Sequence, residues 1–589
     1  MIDGLARRPG LAIALVWLAV SAVLALASPH LGAGRFPDTD DVMRLVQVRD
    51  LLGGQGWFDL YQHRMSPPEG TLMHWSRLVD APLAGVVWLL ALVLPVADAE
   101  WTAAIIVPLL LLLVTMLAIG RLAWARLGPG AALMACASFA LVALLPAQFQ
   151  PLRIDHHGWQ IMTVAIAAWA ILREQSARGA MIAGLAMAAG LMVSLETVFM
   201  AAGFALVLVC RWLADDAARV GLARYLQALA AGLAGLFALT RGLADLAPHC
   251  DAIAPAHLGL FVIVAAGASL LAAAAPRSRL VILGGLGASG LAGIALVGWA
   301  APACLEPPFA GLDPLVRDLW YVRVTEGLPL WHRPLTEALP ALIQCGAALA
   351  IALWNALRGE RAMRGWWGEF ALLLAIAILG GLATYRSIAF AALLASIPLG
   401  WLAWRAVVVW RAGAGLPVRL TVVAGVYILL LPAPLVNAIA PLLASRGVGT
   451  AGEMTASVAT STCAMHANAR RLDRLPAGTV FAPLDLGPGV LLDTRHAVVA
   501  SSHHRAMTGM RHVIAGFTAE AEAARAVVAA SGARYVVTCA DIGEMVVYRE
   551  AGGPQSLAAR LSEGDAPEWL EPVTLDAPEA LRVWRVRGE

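Results

Sequence analysis

The sequence predicts a polytopic α-helical membrane protein with a small α/β domain outside the bilayer at its C-terminal end. Three observations predict it. First, 60% of the 589 residues are hydrophobic and only 14% are charged, with a mean hydropathy of +0.74, whereas a soluble domain is about 25% charged. Second, apolar runs long enough to cross a bilayer, which takes about 17–25 residues, recur from residue 10 to residue 441. Third, the tail 442–589 breaks that pattern, alternating short β-like runs with helical stretches and turn residues. The net charge of +2, carried on the basic side by Arg alone, gives no basis for a nucleic-acid partner.

The chain starts with Arg7 and Arg8 followed by an apolar run to about Ser28. That run is long for a signal peptide and no clear small-x-small cleavage site follows it, so it reads as a retained first span. Fourteen candidate runs lie near 10–28, 80–98, 101–121, 130–148, 159–173, 179–195, 197–213, 224–242, 256–275, 279–301, 336–357, 367–384, 387–405 and 418–441. Arg accumulates on the cytoplasmic side of a membrane. Arg7, Arg8, Arg121 and Arg126 all fall inside only if 80–98 stays outside, as part of a long first loop 29–100. Thirteen spans then alternate, making 1–441 the transmembrane domain and 442–589 an external one. The expected setting is a bacterial inner membrane, with a cytoplasmic N-terminus and a periplasmic C-terminal domain. Within the tail, Thr479–Ala482, Val490–Leu492, Ala497–Ala500 and Tyr535–Thr538 read as strands and Ala519–Ala530 as helix.

Cys136, Cys210 and Cys345 fall in apolar runs and read as small core residues. Cys250, Cys304, Cys463 and Cys539 fall outside the spans, and Cys463 with Cys539 is a candidate disulfide in an oxidising compartment. No cysteine spacing fits a zinc knuckle or a redox motif.

Chemistry concentrates in the outer loops. The first carries Asp38, Asp40 and Asp41 just ahead of a predicted helix, Val42–Leu52. Such carboxylates either hold a hard cation or form a solvated acidic cap where the helix dipole favours negative charge. Arg153-Ile154-Asp155-His156-His157 places a carboxylate and an imidazole two residues apart, a ligand pair or a polar interfacial turn. A long loop, 302–335, holds Glu306, Asp313, Asp318 and Glu326; loops of that length are usually functional or disordered. Arg386 sits at a span edge, where a guanidinium meets phosphate or snorkels to the interface. The tail adds Asp485 and the pair His503-His504, the latter read as a solvated loop in preference to a metal site.

Taken together, these motifs resemble the catalytic subunit of oligosaccharyltransferase, in the GT-C superfamily of membrane glycosyltransferases, and most closely its archaeal and bacterial single-subunit forms. Asp38 and Arg44 keep the family's Asp-(five residues)-Arg spacing. Trp57-Phe58-Asp59, Pro67-Pro68-Glu69-Gly70 and His74-Trp75 follow in the family's order. Asp155-His156-His157 is similar to the archaeal second acidic motif, Thr325-Glu326-Gly327-Leu328-Pro329 to the long-loop motif, and Arg386 to the arginine that meets the lipid phosphate. The resemblance implies a GT-C fold with thirteen spans and a sugar donor on a polyprenyl phosphate or diphosphate. It implies a Mn²⁺ or Mg²⁺ ion on Asp38, Asp155 and His157, with Glu326 closing the shell and His157 tilting the choice to Mn²⁺. Arg386 would hold the donor phosphate. Asp38 would activate the acceptor, with Asp40, Asp41 and Asp485 the other acceptor-side candidates.

One departure bears on the acceptor. The family's Trp-Trp-Asp-Tyr-Gly, which binds the Ser/Thr of the glycosylation sequon, is matched by Pro483-Leu484-Asp485-Leu486-Gly487, without either Trp. The acceptor is left open among a glycan hydroxyl, a lipid hydroxyl and a protein read differently. A transporter or flippase of lipid-linked glycans is the rival reading; it predicts charged or broken helices at mid-membrane, and few mid-span charges are found.

Overall fold

The apolar runs fold as helices, and their lengths separate those that can cross a membrane unaided from those that cannot. The computed structural model describes residues 7–243, 245–306, 309–413, 415–444, 461, 463, 465–575 and 580–588. Among these, nine helices are long and apolar enough to span, or ten if Leu416–Leu430 and Pro432–Pro441 count as one span bent by 76°. The bend sits at Leu431, where Pro432 disfavours helical geometry in the residue before it.

Three of the thirteen spans expected from hydropathy, 130–148, 159–173 and 179–195, are not among these helices. The 130–148 run is interrupted: Pro129–Ala137 passes into a 3₁₀ turn, Ser138–Ala140, and the chain swings through Leu144 at φ +72° into the short helix Leu145–Phe149. His157–Arg173 and Ala177–Val193 are 17 residues each and largely buried in the bundle. Small residues let these helices approach closely; a Cβ on Gly400 would stand 2.3 Å from the backbone nitrogen of Ala135. The 80–98 run, expected to stay outside, forms the 15-residue helix Arg77–Ala91, which is shorter than a bilayer crossing.

Ahead of it the first loop forms the helix Thr39–Leu52 and a two-stranded hairpin, β1 (Tyr61–Gln62) and β2 (Thr71–Leu72). Buried Arg44 locks helix to helix: it meets Asp80 at 2.5 Å and lies over the ring of Trp75 at 4.0 Å. Such a pair is costly to desolvate and more costly to break.

The C-terminal region forms a five-stranded sheet. Its strands are β3 (Thr479–Phe481), β4 (Ala497–Val498), β5 (Tyr535–Cys539), β6 (Leu570–Pro572) and β7 (Leu581–Val586), in the order β4-β3-β5-β7-β6. The first three are parallel and the last two antiparallel to their neighbours. The stretch expected to begin this domain, 445–460, lies outside the described residues. Val490–Leu492, read as a strand, belongs instead to the helix Gly487–Asp493, with Pro488 in its first turn, a position where Pro loses no hydrogen bond. The predicted helix Ala519–Ala530 is confined to Ala524–Ala530.

Cys463 and Cys539 form a disulfide, as do Cys250 and Cys304, a pair that sequence reading did not single out. Cys136 and Cys345 are buried, but Cys210 is exposed on the outer face of its helix and is no core residue.

The C-terminal region docks on the first loop by closing a helix end. Arg64 donates to the carbonyls of Thr494 (2.8 Å) and Leu491 (2.7 Å), and Arg49 to that of Leu492. These belong to the last turn of Gly487–Asp493, whose carbonyls have no helical partner and favour a cation. The Ser66 backbone N–H and hydroxyl add bonds to the carbonyls of Val498 and Val499, both 2.9 Å.

Candidate active site

The acidic motif of the first loop is built on a helix cap. Asp38 precedes Thr39–Leu52 and accepts from the backbone N–H of Asp40 through Oδ1 (3.2 Å), satisfying one of the helix's free donors. Its second oxygen meets Arg153 Nη1 at 3.1 Å. One guanidinium therefore joins the two acidic motifs, because Arg153 also contacts Asp155 Oδ2 at 3.0 Å and Asp41 Oδ2 at 3.3 Å. Asp41, fully buried, accepts from the N–H groups of Ile154 (2.8 Å) and Asp155 (2.9 Å). It is a brace holding the second loop against the first helix, and it does not line the adjoining cavity. That corrects the expectation of Asp41 as an acceptor-side residue.

Asp155 and His157 sit directly together. The His157 N–H donates to Asp155 Oδ1 at 3.0 Å, and His157 Nε2 is 3.5 Å from Oδ2. Asp155, His156 and His157 each offer a ligand atom within 4.8 Å of the others. Asp38 reaches this group through Arg153.

The charge distribution follows from burial and this arginine. Burial opposes ionisation of Asp38 and Asp155, but Arg153 overcomes it and holds both below the usual carboxylate range. Burial, followed by the charges of Asp38, Asp155 and Glu326, pushes Asp40 well above that range.

A cavity of about 930 Å³ opens beside this cluster. Asp38, Asp40 and Arg153 line one side, and Glu326, Arg386, Arg323 and Arg333 another. Glu326 lies on a 3₁₀ turn, Thr325–Gly327, positioned where Leu328 O accepts from the Tyr385 N–H at 2.9 Å. Arg386 pairs with Glu196 and, at 3.5 Å, with Glu326. The C-terminal region supplies the remaining wall through Asp485 and Ser502, and Ser502 Oγ is 3.2 Å from the hydroxyl of Thr39. Burial and the charge of Asp38 raise Asp485 to about 6. Below it, Glu544 accepts from the N–H groups of Leu484 (2.7 Å) and Asp485 (3.0 Å), and burial with Asp485 pushes it up to about 8.

Thus Asp38, Asp40, Glu326, Arg386 and Asp485 face one cavity, whereas Asp155 and His157 stand behind Arg153. Sequence reading gave no role to Arg153, although its place two residues before Asp155 put a cation inside the acidic motif. It also passed over Glu196, a lone acid in a tight turn, as the partner of Arg386. The expected solvated loop at His503-His504 is a third correction: His503 is 4% exposed and packs against His74 and Trp75.

The donor set fits a divalent cation in kind, with carboxylate oxygens and an imidazole side by side; buried Asp155 Oδ2 is held by its ion pair with Arg153. Arg153 stands among the same carboxylates as their counter-charge, so an ion shared by Asp38 and Asp155 has to move that guanidinium aside.

Solved structures share this architecture over nearly the whole chain. The archaeal oligosaccharyltransferase AglB from Archaeoglobus fulgidus, in complex with an inhibitory peptide and a dolichol-phosphate, superposes with a TM-score of 0.61 at 15% identity, over 99% of this chain and 77% of that one. This chain shares the fold of that archaeal oligosaccharyltransferase. The apo form of the Archaeoglobus fulgidus oligosaccharyltransferase gives a TM-score of 0.63 at 13% identity over 98% and 75%. Its complex with Zn and sulfate gives 0.58 at 12% identity over 97% and 74%. No protein-family model and no curated protein sequence matches the chain.

Proposed function

We propose that the chain is a membrane glycosyltransferase that moves a sugar or oligosaccharide from a polyprenyl phosphate or diphosphate to an acceptor hydroxyl on the outer side of the membrane. The carrying observation is the cavity in which Asp38, Asp40 and Glu326 face Arg386, Arg323 and Arg333 within an oligosaccharyltransferase fold. Guanidinium groups are matched to phosphate, and the fold's archaeal neighbour is described with a dolichol-phosphate. Two disulfides, Cys250–Cys304 between two loops and Cys463–Cys539 within the tail, all in segments read as external, favour an oxidising outer compartment.

In the reaction, the bond between the sugar's anomeric carbon and the carrier phosphate oxygen breaks, and that oxygen leaves with the electron pair. The acceptor oxygen forms the new bond and its proton passes to a carboxylate. Asp38 is the candidate for that role: it lines the cavity, with one oxygen fixed by its cap bond and the other paired with Arg153, which would have to release it. Arg386 is released to the departing phosphate from its pairing with Glu196 and Glu326. Asp38, Asp155 and His157, with Glu326, would hold Mn²⁺ or Mg²⁺; a divalent ion there supplies positive charge to the leaving phosphate. Asp485, beside Ser502 and without the two Trp of a sequon reader, would orient a hydroxyl of a glycan, a lipid or a protein. The transporter reading gains no support from this geometry, because the paired charges gather at a cavity between loops and not at mid-helix.

The test is transfer from a synthetic lipid-linked sugar by Asp38→Ala, Asp155→Ala and Glu326→Ala proteins. Each is expected to lose about 10²–10³-fold in rate, the scale of one transition-state charge contact. Undiminished transfer in all three would remove the assignment.

A further inference from the structure

A second cluster lies outside the cavity and takes no part in the proposed transfer. His74 of the first loop and His503 and His504 of the C-terminal region form a near-equilateral triangle, with ring centroids 4.9, 4.9 and 5.0 Å apart. One ring nitrogen from each lies within 4.8 Å of the other two. None of the three lines the cavity.

Three imidazoles on one zinc-class ion, with metal–nitrogen distances of about 2.0–2.1 Å, place their ring centres about 5 Å apart. The observed triangle already has that size. His74 Nδ1 and His503 Nε2 are 2.8 Å apart, and two facing ring nitrogens can share only one proton. His503 Nδ1, on a ring 4% exposed, has no hydrogen-bond partner. Solvation does not account for this arrangement, and an apolar packing role would not assemble three nitrogen ligands.

Asp251 supplies what such a site needs behind it. Its Oδ2 accepts from His504 Nε2 at 2.6 Å, which fixes the tautomer and leaves the lone pair on Nδ1. Arg505 pairs with both oxygens of the same carboxylate, at 2.6 and 2.7 Å, so this nearby cation is neutralised. The other, Arg241, donates to His74 O at 2.8 Å and lies 3.7 Å from Asp245.

We infer that His74, His503 and His504 form a second, zinc-class metal site that staples the C-terminal region to the first loop, with Asp251 orienting His504. The site is structural. Ser502, the residue before His503, closes the cavity wall against Thr39, so the ion anchors that wall from behind.

The full chain, purified in detergent and stripped with chelator, is equilibrated with Zn²⁺, and bound metal and its coordination shell are read by elemental analysis and X-ray absorption. Because Asp155 and His157 offer a rival site, the Asp155→Ala protein is measured in parallel. One zinc retained in Asp155→Ala, in a shell of three imidazoles, is expected. His74→Ala and His503→Ala are expected to lose it, and Asp251→Asn to weaken it by about 10–100-fold. Zinc that persists when His74→Ala is combined with Asp155→Ala, a shell with a single imidazole in the wild-type chain, or no zinc in either the wild-type or the Asp155→Ala protein would each overturn the inference. The shell measurement on the wild-type chain requires no variant to fold.

Discussion

The acidic cluster and the histidine cluster are opposite solutions to the same problem of burying polar groups between the first loop and its neighbours. In one, three carboxylates, Asp38, Asp41 and Asp155, converge on a single guanidinium, Arg153. In the other, three imidazoles gather around a single carboxylate side, with Asp251 paired to His504 and Arg505. The first opens onto a 930 Å³ cavity through Asp38 and Arg153 and the second does not. A buried charge set that faces a cavity is arranged for a ligand; one sealed between segments is arranged to hold them. The comparison teaches that burial and charge are common to both clusters, and that access to a cavity is what tells them apart.

Several experiments break or sharpen that contrast. The largest effect is expected from Arg153→Met. Removing the guanidinium that pairs with buried Asp41 and Asp155 and half-buried Asp38 should cost about 3–5 kcal/mol, read as a fall in thermal midpoint in detergent, with partial recovery at low pH as the carboxylates protonate. If midpoint and activity are both unchanged, Arg153 does not hold the two loops together.

Next is Arg386→Gln, expected to slow transfer by about 10²-fold or more while leaving the midpoint near wild type; an equal loss with an uncharged, phosphate-free donor analogue would show that Arg386 does not act on phosphate. Arg64→Ala removes the donors to two helix-end carbonyls and should loosen the C-terminal region by about 2 kcal/mol, seen as faster hydrogen exchange across 487–499. Unchanged exchange there would place the docking energy elsewhere.

A smaller, pH-shaped effect is expected at Glu544. Its ordinary value of 4.5 is raised to about 8 in the fold, so its contribution to stability is full below about 4.5 and is lost as pH rises through about 8. Glu544→Gln should flatten that decline, and a Gln protein with the wild-type slope between pH 5 and 8 would exclude this group as its source. Arg317→Ala is the control. The Arg317–Asp318 pair is solvent-exposed, such pairs contribute little to stability, and no measurable change is expected.

Much of this was legible in the sequence, for identifiable reasons. Apolar length marks membrane helices because lipid admits little else, and Asp38 reads as a cap because helix starts need an acceptor. The cavity residues Asp38, Glu326 and Arg386, the first hundreds of positions from the other two, were matched by motif order. What composition could not carry was pairing. Arg153 looks like one more loop cation until it is seen between three acids. Cys250 and Cys304 are 54 residues apart with no pattern to join them. His74 lies 429 positions from His503, and no local periodicity links such partners. Hydropathy also sums over a window and does not register the turn at Leu144 that interrupts the 130–148 run.

The wall formed by Asp485 and Ser502 has a consequence for biosynthesis. A ribosome delivers Asp38, Arg153 and Asp155 early, and those residues can pair as soon as their helices insert. The groove they border stays open on one flank until roughly the last sixth of the chain has been translated and folded. A nascent polypeptide therefore carries the acids without the enclosure, and the compartment is finished only when synthesis is nearly over.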